Sequence, residues 1–197
     1  MLTISNSTIS GNSANEAGGI DSRGTLTISN STISGNSAYF TRGNAIGGGI
    51  SASSGTLISN STISGNSAYG SLGSTGGGIY GTATLQNSIV ANSPSGGNCY
   101  GTMTSNGYNM SSDGTCNFNS SGDLNNTDPK LGTLGNYGGP TQTIPLLSGS
   151  PAIDAGNPNG CTNSNGVLLK TDQRGQPRPD KEDIGGCDMG AYERQTD

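Results

Sequence analysis

The string Ile-Ser-Asn-Ser-Thr-Ile-Ser-Gly-Asn-Ser-Ala occupies residues 4–14 and recurs unchanged at 28–38 and 58–68. A degraded copy, Leu-Gln-Asn-Ser-Ile-Val-Ala-Asn-Ser, runs from Leu85 to Ser93. Successive copies begin 24, 30 and 27 residues apart, a period that suits one coil of a solenoid. A second marker follows each intact copy, at Gly18-Gly19-Ile20, Gly48-Gly49-Ile50 and Gly77-Gly78-Ile79. Every coil therefore has the same order of parts.

Leu2-Thr3-Ile4-Ser5 and Leu26-Thr27-Ile28-Ser29 alternate apolar and small polar residues, the pattern of a strand with one buried face. Further short strands are expected around Ile9, Ile33 and Ile63, and around Ile20, Ile50 and Ile79. Stretches such as Ser-Thr-Ile-Ser-Gly-Asn-Ser are poor helix formers, and no helical period competes. Three short strands per coil, joined by corners of Gly, Ser and Asn, predict a parallel β-helix over residues 1–112 with Ile stacked above Ile. The corners place Asn6, Asn30, Asn60 and Asn87 in one register and Asn12, Asn36, Asn66 and Asn92 in another. Asn tolerates left-handed backbone and its amide bonds to equivalent amides above and below, so two inward Asn ladders are expected. Asn6, Asn30 and Asn60 also sit in Asn-Ser-Thr glycosylation sequons, which an inward corner would make inaccessible.

This architecture accounts for an unusual composition. Gly (35), Ser (29), Asn (22) and Thr (21) fill more than half of the 197 positions, whereas Leu, Ile, Val and Phe fill only 30. An ordinary layered globule is excluded, because so little apolar surface does not offset chain entropy. Disorder is disfavoured by the strict period and a net charge of only -5. The absence of His removes Ser-His-Asp and Cys-His catalysis and His-ligated zinc. Eight scattered Lys and Arg make no nucleic-acid footprint, and no apolar run is long enough to span a membrane. The chain starts inside a repeat strand, so it reads as a fragment without signal peptide or anchor, its first coil presenting an uncapped edge.

The connection between the Asn corner and the Gly-Gly-Ile marker varies: residues 15–17, 39–47 and 69–76. Insertions in a repeat array gather on one face, often the binding face. Here they carry Tyr39, Phe40, Arg42 and Tyr69, candidate glycan-contact residues that alternatively lie flat over the coil.

Near residue 112 the composition changes. Only Glu16, Asp21, Arg23 and Arg42 are charged before it; 11 of the 13 acids and 6 of the 8 bases follow. Pro-containing, loop-rich sequence over 113–197 is expected to form an irregular cap on the last coils. Cys99, Cys116, Cys161 and Cys187 lie outside the regular repeats and read as two disulfides formed in an oxidising compartment. Three pairings are open; local loop closure favours Cys99 with Cys116 and Cys161 with Cys187. Asp154, Asp172, Arg174, Arg178, Asp188 and Glu193 are candidates for an ion-pair network that folds the cap onto the coils. Calcium is the rival reading of those acids, though no calcium-loop motif occurs; no cofactor or metal is otherwise expected.

The pairing of Ile-Ser-Gly-Asn-Ser-Ala with Gly-Gly-Ile resembles the repeats of polymorphic outer-membrane proteins, with Ile in place of Phe. GGNCYGTMTSNGYNMSSDGTC, DPKLGTLGNYGGPTQTIPLLSGSPAIDAG, TDQRGQPRP and CDMGAYE, in that order, resemble the C-terminal region of bacterial choice-of-anchor Q domain proteins. The resemblance implies a secreted bacterial surface protein. Its fold would be all-β: a right-handed parallel β-helix with an irregular, disulfide-stapled C-terminal cap. It carries over no catalytic residue. The expected role is a non-enzymatic stalk or adhesin segment at the cell surface, touching glycans or neighbouring surface proteins through its corner loops. Two alternatives are a carbohydrate-active enzyme, lyase or glycoside hydrolase, for which the coils offer Glu16, Asp21, Arg23 and Arg42, and a fibre subunit assembling head to tail through the first coil.

Overall fold

The computed structural model describes residues 1–181 and 186–196. Its strands stack in parallel as a β-solenoid, and no helix occurs among the described residues. One face consists of Leu2–Ser5, Leu26–Ser29, Ile50–Ser59, Ile79–Gln86 and Cys99–Ser105. A second consists of Thr8–Ser10, Thr32–Ser34, Thr62–Ser64, Ile89–Ala91 and Met110–Ser111. A third, shorter face consists of Ser13–Ala14, Ser37–Phe40 and Ser67–Gly70. The faces differ from the sequence expectation in two respects: the strand around Ile20, Ile50 and Ile79 shares the first face, and the third face is made of Ser13–Ala14, Ser37–Phe40 and Ser67–Gly70, where a corner and variable insertion were expected. The strand after Gly-Gly and the strand before the Asn corner are separate only in Ile20–Ser22 and Leu26–Ser29; Ile50–Ser59 pairs with both as one continuous strand.

Pairing is in register, so like stacks on like. Ile4, Ile28, Ile58 and Leu85 form one inward row. Ile9, Ile33, Ile63 and Val90 form a second. Ile20, Ile50, Ile79 and Cys99 form the third. The Ile residues between the end coils are buried in one continuous core. Burying each contributes roughly 1.5–3 kcal/mol, enough to order a narrow coil whose polar backbone is satisfied by its neighbours. Cys99 takes the Ile place on the last rung, and its disulfide to Cys116 brings Cys116 and Phe118 into the same core as a plug. The second disulfide joins Cys161 and Cys187.

The Gly-Gly marker and one Asn row explain each other. Asn66 Oδ1 accepts from Asn36 N–H and Nδ2, both at 2.9 Å, while Asn66 Nδ2 donates to the Ile33 carbonyl at 2.9 Å. Asn36 repeats the pattern toward Asn12 and Ile9. These buried amides fill the interior opposite the marker. A Cβ on Gly49 would lie 3.0 Å from Asn66 Cγ and 2.6 Å from the Gly78 carbonyl oxygen, so only Gly fits. Asn92 does not belong to this row. Ser64 pairs with Ala91, which sets Asn92 opposite Gly65; both have positive φ, +57° and +68°, and Asn is one of the few side chains suited to that backbone.

Asn6, Asn30, Asn60 and Asn87 turn the other corner with φ between +46° and +53°. They do not point inward as expected: two pairs keep the expected amide-to-amide bond, and the amides of Asn30, Asn60 and Asn87 also meet the C-terminal segment. Asn30 Nδ2 donates to Asn6 Oδ1 and to the Thr171 carbonyl, Asn60 Nδ2 to the Thr162 carbonyl, and Asn87 Nδ2 to Asn60 Oδ1 and the Asp188 carbonyl. The segment is thus more than a cap on the last coils. Residues near 113–128 close the end, but later residues run back along the second face to the first coil. There Gln173 bonds Thr32 and Thr8, and the Gln142 carbonyl accepts from Thr8. The physical reason is the outward row Thr8, Thr32, Thr62, Ile89 and Met110. Its apolar end packs against Leu146, Ala152 and Met189, and its hydroxyl end bonds to Gln173 and Ala191.

Asn66→Ala strands the buried Asn36 amide and is expected to destabilise the protein by at least about 2 kcal/mol in chemical denaturation. Asn92→Gly, on positive-φ backbone, is expected to stay within about 0.5 kcal/mol of the parent or above it. Equal losses in the two variants would contradict the register assigned to Asn92.

Candidate functional site

Tyr39 and Tyr69 are register partners on the third face and point outward, while Ala38 and Ala68 point into a small core on which Phe40 packs. Beyond them the insertions of successive coils pair with each other, Asn44–Ile46 with Gly73–Thr75. Gly70 stands opposite Phe40, where a Cβ would lie 2.2 Å from the Gly73 carbonyl oxygen and 2.4 Å from Ala45 N. That position faces packed backbone, so Gly there lets the insertions of the two coils close on each other; beside them lies a groove of about 320 Å³ lined by Tyr39, Phe40, Thr41, Tyr69, Gly70, Ser71 and Ser74. The two tyrosines are 56% and 43% exposed, large aromatic surfaces left uncovered on a small-residue wall. Of the four expected contact residues, three line this groove; Arg42 is exposed and lies outside it.

The acids weighed for an enzyme meet elsewhere. Glu16, Asp21 and Arg23 line a second concavity of about 360 Å³ with Ser22, Ser51 and Ser53, and Arg23 pairs with Asp21 at 3.3 Å on the surface.

The charged residues of the C-terminal segment form a buried joint. Arg178 pairs with Glu193 at 2.6 Å, donates to the Gly190 carbonyl, and reaches the coil at Asn30 Oδ1, 3.2 Å away. Arg174 pairs with Asp172 at 2.8 Å and lies 3.6 Å over the Tyr192 ring. Asp172 Oδ2 also accepts from Glu193 N–H, linking the two pairs. Asp188 accepts from the backbone N–H groups of Asp154 and Arg194. Five of the six expected members therefore meet. Asp154 is the exception: its side chain is exposed and it joins only through its backbone, in left-handed conformation at φ +55°. Gln173, buried and bonded to two coils, was invisible in the sequence because a lone Gln carries no pattern. Among the described residues, no group of three or more His, Cys, Asp or Glu is placed to hold a metal ion. Asn30 and Asn60 of the sequons are buried, whereas Asn6 is exposed.

No family model, no curated protein and no solved structure matches this chain.

Burial, reinforced by repulsion from Glu193, pushes the Asp188 carboxyl up to about 7, against the pull of the Arg194 and Asp154 N–H groups and Arg178. Its ordinary value is 3.8, so the folded protein holds this proton more tightly than the unfolded chain. The contribution is full below pH 4 and is lost as pH rises through 7. Denaturation midpoints are expected to fall between pH 5 and pH 8, and Asp188→Asn to flatten that slope. A parent midpoint that rises across this interval, with the variant unchanged, would contradict the assignment.

Proposed function

We propose that this protein is a non-enzymatic extracellular surface or matrix protein, a β-helical stalk or adhesin segment that contacts glycans through its corner groove. The observation that carries the reading is the exposed register pair Tyr39 and Tyr69 flanking a groove built by the variable insertions. Aromatic faces offer a flat, weakly negative surface to the polarised C–H face of a pyranose ring, and Thr41, Ser71 and Ser74 offer hydroxyls for its rim. The groove lining has no carboxylate, Lys or Arg, which favours binding over acid–base chemistry there. Two disulfides agree with an extracytoplasmic setting. The resemblance of the C-terminal motifs to those of choice-of-anchor Q domain proteins is in keeping with the same assignment to a bacterial surface. The fibre alternative is less favoured: a coil arriving at the far end would have to displace the plug of Cys116 and Phe118.

An immobilised glycan array probed with the full chain is expected to retain it on a defined sugar, and Tyr39→Ala with Tyr69→Ala to lower the retained signal about tenfold. Absence of retention on every sugar, or retention indifferent to both substitutions, would overturn the reading.

A further inference from the structure

One row of outward side chains crosses the first face along the solenoid axis. Asp21 pairs in register with Ser51, Ser51 with Tyr80, and Tyr80 with Tyr100. Directly behind them the neighbouring row, Ile20, Ile50, Ile79 and Cys99, is buried, so the alternation turns all four outward. At ~4.8 Å per strand the row measures roughly 14 Å, the reach of a short oligosaccharide.

Two independent features mark this row. Tyr80 and Tyr100 stack with ring centroids 5.6 Å apart and planes within 4°, yet Tyr100 remains 53% exposed. The glycines that follow them, Gly81 and Gly101, adopt φ of +109° and +112° and have no room for a Cβ against the carbonyl oxygens of Ala52 and Gly81. The same bend thus repeats in both strands, and the stacked rings lie parallel before any ligand arrives, which lowers the entropy cost of binding. At the other end of the row, three of the four charged residues in the first 112 positions border one concavity: Glu16, Asp21 and Arg23. Arg23 neutralises Asp21, leaving the Glu16 carboxylate on a protein of net charge -5.

We propose that this row is a binding track for a linear glycan free of carboxylates, built of neutral or amino-bearing pyranose units and lying along the solenoid axis. Ser51, small and flanked by Asp21 and Tyr80, leaves a notch in which one ring rests against the open face of Tyr80. The outer face of Tyr100 takes a second ring, while Asp21 and Ser51 accept hydroxyl or ammonium hydrogens. Glu16 repels uronate polymers, so the track selects by exclusion as well as by contact. The track shares no residue with the corner groove and stands or falls separately.

The test is calorimetric titration of the full chain with cellohexaose, chitohexaose and a glucosamine hexamer, using a galacturonate hexamer as the anionic comparison. At least one of the first three is expected to bind. Tyr100→Ala should weaken that binding about tenfold, whereas Tyr100→Phe, which keeps the ring, stays within about twofold. Glu16→Gln is expected to narrow the gap to the galacturonate hexamer. Circular dichroism of each variant checks the fold; should Tyr100→Ala unfold, Tyr100→Ser and Ser51→Leu, which fills the notch, provide the same comparison. The track is overturned by no binding of the three at millimolar concentration, by tighter binding of the galacturonate, or by binding indifferent to position 100. Binding lost only in the Tyr39, Tyr69 pair assigns the sugar to the corner groove instead.

Discussion

In-register parallel pairing is the constraint on which everything else depends. Each coil contributes one inward apolar side chain per row, too little to fold alone, and gains its core by lying directly over an equivalent coil. Register also turns local chemistry into continuous rows. The Asn36–Asn66 amides, the Thr8–Thr32–Thr62 hydroxyls and the Tyr80–Tyr100 rings exist as structures only because the same position returns a strand spacing away. Gly-Gly markers belong to the same logic, since they leave space for the Asn row they face.

A solenoid made this way has open flanks, and the C-terminal segment covers one of them. It reads the corner residue of three coils, Asn30, Asn60 and Asn87, with three different carbonyl groups. The buried Arg178–Glu193 pair closes this seam at Asn30. Such a pair contributes little net stability against an apolar substitute, but removing one partner leaves a desolvated charge and costs about 3–5 kcal/mol. Its geometry therefore specifies where the segment docks. Burial in this dry site, with repulsion from the nearby Glu193 carboxylate, explains why the Asp188 proton is retained.

The repeat stretch made the solenoid legible, because identical strings at a fixed period leave almost no freedom in which residues face inward. The local pairings Cys99–Cys116 and Cys161–Cys187 were legible from loop closure. The second disulfide's place beside Asn87 was not. Asn92 misled because composition, unlike register, does not distinguish an Asn replacing Gly on left-handed backbone from an Asn in a ladder. The course of the C-terminal segment was hidden for a different reason. Its contacts join residues more than 130 positions apart through single side chains such as Gln173, and no local pattern encodes them. A trace of it was present in the second face, where the outward row changes from Thr to Ile89 and Met110 in the last coils. That change marks a surface covered by something apolar. The corner groove was legible as a face rich in inserted aromatics; the close backbone packing of the insertions at Gly70 was not.

Native-state hydrogen exchange on the full chain tests the central claim, that coils and C-terminal segment form one cooperative unit. The account predicts that amides of Ile63, Gly190 and Ala191 exchange together at the slow, global rate, while Leu2–Ser5 at the edge exchange faster. Exchange of Gly190 and Ala191 orders of magnitude faster than Ile63 would contradict it.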